Sequence, residues 1–212
     1  MNRKSLLWIL LAIAIIIGGW FVWKKNSTQT NTIKIGAILP LTGDMAKFGE
    51  SFQNGIELAK HKINEKNPNI KFDVVYEDDK ADANQSVASI NKMMNIDNIN
   101  YFIGGVMSST MMPIVPIAIN KKVIIISPTA TSVELEKYTD FIYRMQPTDE
   151  YDGKITAEFV MNKTKFSSMS ILFINNDWGN SIEKSFSQNY AKLGGQIKCK
   201  ESYNIEATNF RT

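Results

Sequence analysis

The chain contains few of the side chains on which enzyme and metal chemistry depend. Among its 212 residues there is one cysteine and one histidine. A single cysteine, Cys199, excludes an internal disulfide and leaves zinc without a set of thiolate ligands. The single histidine, His61, lies between two lysines on a predicted helix, where a solvated surface position is expected. These counts exclude any mechanism that needs two histidines, and we expect neither a metal site nor another cofactor.

Motifs for nucleotide binding and for nucleophilic catalysis are also missing. The sequence has no GxGxxG loop, no GxxxxGKS or GxxxxGKT phosphate loop and no GxSxG elbow. Because an activated nucleophile requires a base beside it, an enzyme with a doubly wound fold is the least favoured class. We therefore expect no catalytic residues.

Most of the chain also lacks an excess of charge of one sign. The net charge is +3, but four of the 24 basic residues flank an apolar run at the N-terminus. The remaining chain carries 20 basic and 21 acidic residues, which is not the pattern of a nucleic-acid-binding protein. The acidic cluster at residues 77–79 is not followed by a calcium-binding loop, so a solvated turn is its expected role.

The sequence does contain one long apolar run, at residues 6–23, with basic residues on both sides. As an α-helix it would extend about 27 Å, which is close to the hydrocarbon thickness of a bilayer. It is longer than the core of most secretory signals, and no small-x-small cleavage motif follows it. The run therefore predicts an uncleaved signal-anchor in the cell membrane, with a cleaved signal as the alternative. In either case the rest of the chain is exported to the periplasmic or extracellular side, behind a polar linker at residues 26–32.

From residue 33 onward, short apolar strands alternate with amphipathic helices. This order predicts an α/β fold with a parallel sheet and helices on both of its faces. The expected strands are 33–39, 71–76, 101–103, 123–126, 141–145, 169–174 and 196–203, and the expected helices are 49–64, 83–94, 109–120, 150–163 and 180–193. Asp149 is expected to cap the helix at 150–163.

Two neighbouring strands of this pattern end in turns rich in hydroxyl groups. The strand at 101–103 runs through two glycines into Met-Ser-Ser-Thr at 107–110, and the strand at 123–126 ends in Ser-Pro-Thr-Ala-Thr at 127–131. In an open parallel sheet, small ligands bind beyond the carboxyl ends of adjacent strands. A helix N-terminus with small hydroxyl residues also suits an anion such as a carboxylate. The alternative role for Ser108 and Ser109 is simple helix capping.

The order of these motifs resembles that of the type I periplasmic binding proteins, and most nearly the branched-chain amino acid (Leu/Ile/Val) binding proteins of ABC importers. The segment at 33–59, the acidic turn and the two hydroxyl turns carry the resemblance, which extends over residues 33–212. It implies two doubly wound, parallel-sheet lobes that close on a ligand. Because family members are longer, we expect an incomplete second lobe and a C-terminally truncated sequence. The lobes implied by the resemblance are lobe 1 at 33–145 and the start of lobe 2 at 146–212, behind the signal-anchor or transmembrane segment at 1–25 and the linker at 26–32 that the residue pattern predicts.

The resemblance also implies roles for individual residues. Ser108 corresponds to the serine that holds the ligand α-carboxylate, and Thr131 to a threonine that touches both the carboxylate and the ammonium group. The carbonyl of Thr129 corresponds to an acceptor for the ammonium group, with Ala130 shaping the turn. Ser109 would add a donor for the carboxylate, since a buried zwitterion needs donors and acceptors at its two ends. The acidic partner that the family supplies to the ammonium group is expected beyond residue 212.

Two aromatic residues complete the expected site. Phe48, before the first helix, and Trp178, in the second lobe, would bury an apolar ligand side chain. The alternative for both is an exposed aromatic on a loop. The expected function is that of an extracytoplasmic solute-binding protein, which binds a branched-chain or other aliphatic amino acid and delivers it to an ABC transporter permease in the membrane. The alternative is a ligand-sensing receptor ectodomain of the same fold that binds an amino acid, an amide or a urea-like ligand.

Overall fold

A computed structural model describes residues 31–67, 69–138, 140–204 and 207–208. The predicted membrane segment at 6–23 lies outside these residues, as does most of the linker at 26–32. The last two linker residues belong to the first strand, which begins at Asn31. Within the described ranges, no helix is both long and apolar enough to cross a membrane.

The main sheet has five parallel strands in the order β2-β1-β3-β4-β5. Each strand is a short run rich in isoleucine, valine or aromatic residues, as expected for strands covered on both faces. Because all five run in one direction, their carboxyl ends meet at one edge of the sheet. The strands are β1 (Asn31–Leu39), β2 (Ile70–Asp78), β3 (Tyr101–Gly104), β4 (Ile124–Ser127) and β5 (Ile142–Arg144).

Four helices connect these strands: α1 (Ala46–Lys66), α2 (Ala83–Asn95), α3 (Ser108–Met111) and α4 (Val115–Lys121). The single helix predicted at 109–120 is in fact divided. A 3₁₀ turn at Met112–Ile114 separates α3 from α4, and Pro113 lies within it. Proline has no N–H to donate to the preceding turn, so it is tolerated only near the start of a helix. Pro116, in the first turn of α4, satisfies the same condition.

The hydrophobic core lies mainly on one face of the sheet. There, α2, α3 and α4 pack against the strands through fully buried side chains that include Ile38, Ile90, Met93 and Ile125. On the opposite face, α1 covers a smaller group around Ala37 and Leu39. The sheet therefore has one face that is fully covered and one that α1 covers in part.

A second parallel sheet consists of β6 (Ser168–Ile174) and β7 (Gln196–Tyr203). Before β6 comes α5 (Asp149–Phe159), which continues into a π-helical turn at Val160–Thr164. The two strands are connected by the crossover helix α6 (Asp177–Lys192). The helices α5 and α6 approach closely at Gly153, where an added Cβ would lie 2.4 Å from Ser185 Oγ. The domain boundary predicted at residues 145–146 falls between β5 and α5.

The partly covered face of the main sheet leads to a first prediction. Apolar side chains of β1, β3 and β4 line a cavity of about 370 Å³ on this face, and Tyr101 and Ile126 are exposed beside it. Contiguous apolar surface of this kind promotes association. We expect residues 26–212, without the apolar run at 6–23, to self-associate on size-exclusion chromatography at micromolar concentration, and the double variant Tyr101→Lys/Ile126→Lys of the same segment to elute as a monomer. Ile96→Lys, which changes an exposed isoleucine away from this face, is the matched control and should still self-associate; a monomeric parent chain would contradict the prediction.

Candidate ligand-binding site

The turn after β3 brings two hydroxyl residues to the carboxyl edge of the sheet. Gly105 lies in the left-handed region, with φ of +63°, and an added Cβ there would come within 2.5 Å of the Met111 sulfur. The chain can therefore reverse tightly enough to begin α3 at Ser108. The opening of α3 is stabilised by Thr110, whose hydroxyl accepts from the Met107 N–H at 3.3 Å and donates to the Met107 carbonyl at 3.1 Å. Ser108 is thus not the residue that caps this helix.

The turn after β4 is hydrogen-bonded directly to the turn after β3. The buried Ser127 hydroxyl donates to the Gly105 carbonyl at 2.7 Å and accepts from the Ala130 N–H at 3.0 Å. The Thr129 hydroxyl donates to the Val106 carbonyl at 2.5 Å. Side chains of one strand end therefore fix the backbone of the other, and the two turns form a single unit.

The structure brings together five of the residues that the sequence predicted for the site. Ser108 is buried, and its hydroxyl oxygen accepts from the Ser132 N–H at 3.3 Å, which leaves its proton available for a ligand. Ala130 is also buried, and Thr129 and Thr131 flank it. Ser109, in the first turn of α3, is half-buried. The ligand contacts of these residues stay predictions, but their proximity is now a feature of the fold.

An acidic residue that the sequence had not placed in the site lies against the same turn. Asp149 is fully buried, and its backbone N–H donates to the Thr131 carbonyl at 2.9 Å. Both of its carboxylate oxygens, and the hydroxyl of Thr131, have no hydrogen-bond partner among the residues that the structure describes. Buried polar atoms are almost always paired, because an unpaired one costs about 1–3 kcal/mol, and more when it is charged. Two such groups on hydrogen-bonded residues are acceptors for which the described residues supply no donor.

The expectation that Asp149 caps its helix is wrong. The cap is Thr148, whose hydroxyl accepts from the Tyr151 N–H at 3.2 Å, and Asp149 is the first residue of α5. A threonine followed by an acidic first turn is itself a good helix-start signal. If Thr148 is the cap, the Asp149 carboxylate is not needed to accept a hydrogen bond from the helix N-terminus. That is the one sequence signal by which it could have been found.

The segment after Thr131 is held from both sheets. Arg144, at the end of β5, donates to the Ser132 carbonyl at 2.9 Å and to the Glu136 carboxylate at 3.1 Å. From the side of the second sheet, the Ser181 hydroxyl of α6 accepts from the Val133 N–H at 3.3 Å. The turn after β4 is therefore also a point at which the two sheets are linked.

The two predicted aromatic residues lie outside this hydrogen-bonded cluster. Phe48, in the first turn of α1, is 56% exposed, and Trp178, in the first turn of α6, is 47% exposed. Trp178 lines a cavity of about 320 Å³ together with apolar residues of the second sheet and its helices, among them Phe173 and Ile182. The contact of either ring with a ligand stays a prediction.

The acidic cluster at 77–79 is not a solvated turn, contrary to expectation. Asp79 is fully buried, and burial raises the pKa of its carboxyl although the Ala81 amide and the Ser86 hydroxyl donate to it. Glu77 pairs with Lys92 at 2.5 Å. In the part of the chain that the structure describes, no three His, Cys, Asp or Glu side chains are grouped so as to hold a metal ion.

Comparison with known proteins agrees with this fold. Residues 32–212 match the periplasmic binding protein family. The chain is 27% identical to the leucine-, isoleucine-, valine-, threonine- and alanine-binding protein of Pseudomonas aeruginosa, covering 99% of this chain and 55% of that protein. It is 28% identical to the Leu/Ile/Val-binding protein of Escherichia coli K12, covering 82% and 48%. The chain thus spans about half the length of the curated relatives it matches.

Solved structures give the same result. The branched-chain amino acid transporter substrate-binding protein LivJ of Streptococcus pneumoniae, in complex with isoleucine, superposes with a TM-score of 0.76 at 26% identity, over 85% of this chain and 52% of that one. A solute-binding protein of Rhodopseudomonas palustris, in complex with 3,4-dihydroxybenzoic acid, gives 0.77 at 22% identity, over 84% and 49%, which supports the fold alone. The predicted resemblance to the type I periplasmic binding proteins is therefore confirmed, and the chain belongs to the periplasmic binding protein family, among relatives named for branched-chain amino acids.

Proposed function

We propose that the protein binds an aliphatic α-amino acid outside the cytoplasm, as the solute-binding component of an ABC importer. The observation that carries this proposal is the buried Asp149 carboxylate, which has no hydrogen-bond partner among the described residues. A ligand ammonium group would supply both the missing donors and the missing positive charge. The unpaired Thr131 hydroxyl, next to it through the backbone, would accept a further hydrogen bond.

The other end of the ligand is served by the turn after β3. The N–H groups of Ser108 and Ser109 precede the first hydrogen bonds of α3, which Thr110 and Met111 donate to the Met107 carbonyl, so they can donate to an external oxygen. The Ser108 hydroxyl can donate as well, and Ser109 lies in the same turn. Donors on one turn and unpaired acceptors on the neighbouring turn fit a carboxylate and an ammonium group on the same carbon atom.

The names of the relatives and the predicted aromatic walls point to an apolar side chain. Phe48 and Trp178 are the candidates for burying it. Ligands of structural neighbours include isoleucine and hydroxylated benzoic acids, so the fold alone does not choose between these classes. A buried unpaired carboxylate favours the amine-bearing class, because a second anion beside it would be repelled. The anchoring of the protein by residues 6–23 and its docking to a membrane permease are part of the same proposal.

A three-ligand comparison tests the proposal. Isothermal titration of the full-length gene product with leucine, with 4-methylpentanoate, which lacks the amine, and with 3-methylbutylamine, which lacks the carboxylate, separates the two ends of the site. We expect leucine to bind, and each truncated ligand to bind at least about 100-fold more weakly, as one charged contact is lost. Binding of 4-methylpentanoate or 4-hydroxybenzoate with no binding of leucine would overturn the proposal.

A further inference from the structure

The start of α1 is not stabilised by its own sequence. Helix α1 follows the segment at residues 40–45, here named the β1–α1 loop, and Met45 at its cap position makes no side-chain hydrogen bond to the helix. No acidic residue lies in the first turn either. A helix that lacks a cap has unsatisfied N–H groups at its start and a loosely defined entry. The position of Phe48, in that first turn, must therefore be fixed from elsewhere.

Asp78, at the end of β2, holds the β1–α1 loop from 36 residues away. Its Oδ1 accepts from the Leu41 N–H at 2.8 Å and the Thr42 N–H at 3.3 Å, and its Oδ2 accepts from the Thr42 hydroxyl at 2.5 Å. The N–H of Lys80 donates to Oδ1 at 2.9 Å, which fixes the carboxylate in its own turn. Partial burial raises the pKa of the Asp78 carboxyl, but these donors outweigh it and hold the pKa below its ordinary value. Both oxygens of one ionised side chain are thus committed to this loop and its neighbour turn.

The position of the β1–α1 loop determines that of Phe48, because the first turn of α1 packs against the beginning of the loop. At Gly49 an added Cβ would lie 2.0 Å from the Pro40 carbonyl oxygen, so the first turn of α1 is pressed against the beginning of the loop. The N–H of Phe48 donates to the Met45 carbonyl at 3.0 Å. Between the Asp78 contact and Phe48, the Ala46 N–H also donates to the Gly43 carbonyl at 3.1 Å.

The loop also lies next to the turn after β3. Strand β1 lies between β2 and β3, with Leu39 opposite Asp78 on one side and Ile38 opposite Gly104 on the other. The end of β1 therefore leads the loop out of the sheet directly beside the turn that carries Ser108. A shift of the loop would move Phe48 relative to that turn.

We infer that Asp78 is a positioning residue that sets which ligand side chains the protein accepts, by fixing the β1–α1 loop and, through it, Phe48. The inference rests on the proposed function, in which Phe48 contacts the ligand side chain. It separates two parts of recognition. The Ser108, Thr131 and Asp149 cluster binds the α-carbon groups that all amino acids share, and the loop fixed by Asp78 discriminates among side chains.

The test compares leucine with alanine as ligands of the full-length gene product. In Asp78→Asn we expect leucine affinity to fall about tenfold while alanine affinity changes less than about twofold, since only leucine reaches the aromatic wall. Thr42→Val, which removes one donor to Asp78, should change the leucine-to-alanine ratio in the same direction, and Thr42→Ser should restore it. Glu77→Gln, which alters the neighbouring acid that pairs with Lys92, is the matched control and should leave the ratio unchanged.

Each outcome decides one of the two claims. An equal loss of affinity for both ligands, or a lower melting temperature with an unchanged ratio, would show that Asp78 is merely structural and overturn the inference. If Asp78→Asn does not fold, the Thr42→Val and Thr42→Ser pair decides by the same ratio. If the unaltered protein does not bind leucine, the proposed function itself is wrong. This result is distinct from a failure of the inference about Asp78, which is measured only in the variants.

Discussion

Replacing Asp149 with asparagine should abolish ligand binding and, at the same time, stabilise the ligand-free protein. The carboxylate is fully buried and has no hydrogen-bond partner in the described part of the chain, so the free protein bears the cost of a desolvated charge. A neutral amide of the same shape costs less, and we expect the free energy of unfolding to rise by about 1–3 kcal/mol. Loss of the charge leaves a ligand ammonium group buried without its partner, which should weaken binding by more than about 3 kcal/mol, or over 100-fold. Urea unfolding and isothermal titration with leucine measure the two effects.

The neighbouring residue provides a matched control for this prediction. Glu150 follows Asp149 in the first turn of α5 and is exposed. Glu150→Gln removes the same charge from the same helix N-terminus. Its effect on the free energy of unfolding therefore measures the contribution that an acid makes through the helix dipole. It should leave leucine binding intact and lower the free energy of unfolding by less than about 1 kcal/mol. An Asp149→Asn protein that binds leucine as the parent does, or that is less stable than Glu150→Gln, would show that Asp149 has a purely structural role.

The strands and the hydroxyl turns could be predicted because their signals are local. An apolar run such as β4, followed by Ser-Pro-Thr-Ala-Thr, indicates a buried strand and the turn after it without reference to the rest of the chain. Parallel topology then places this turn beside the turn after β3. In this way the sequence predicts that the turns of Ser108 and Thr131 lie side by side, although the two residues are 23 positions apart; their roles toward a ligand are implied only by the resemblance.

The remaining parts of the site depend on burial and on long-range partners, which no local pattern records. Asp149 has the sequence environment of an ordinary helix cap, and only the fold shows that Thr148 caps the helix while the carboxylate is buried. Asp78 is one of three adjacent acids, and its role depends on a loop 36 residues away. Composition predicts that such acids are solvated, because most acidic residues are. The exceptions are set by tertiary contacts.

Replacing Ser127 should change stability in the opposite direction to replacing Asp149, while both changes weaken ligand binding. Its hydroxyl satisfies two buried backbone groups, the Gly105 carbonyl and the Ala130 N–H. Ser127→Ala leaves both without a partner, and we expect it to lower the free energy of unfolding by about 2–4 kcal/mol. Because the same bonds set the relative position of the two turns, leucine affinity should also fall about tenfold or more. Urea unfolding and titration calorimetry test both, with Ser170→Ala, at an exposed serine of β6, as the control for removing a hydroxyl.

Thr131→Val distinguishes a hydroxyl that builds the site from one that binds the ligand. The Thr131 hydroxyl is buried and has no partner in the described residues, so an isosteric methyl group should leave the free energy of unfolding unchanged or raise it by up to about 1 kcal/mol. Leucine affinity should nevertheless fall about tenfold, because the ligand ammonium group loses an acceptor. Equal destabilisation by Ser127→Ala and Thr131→Val would contradict this division of roles. Opposite signs in stability with the same sign in affinity would instead separate the residues that hold the two turns together from those left unpaired for the ligand.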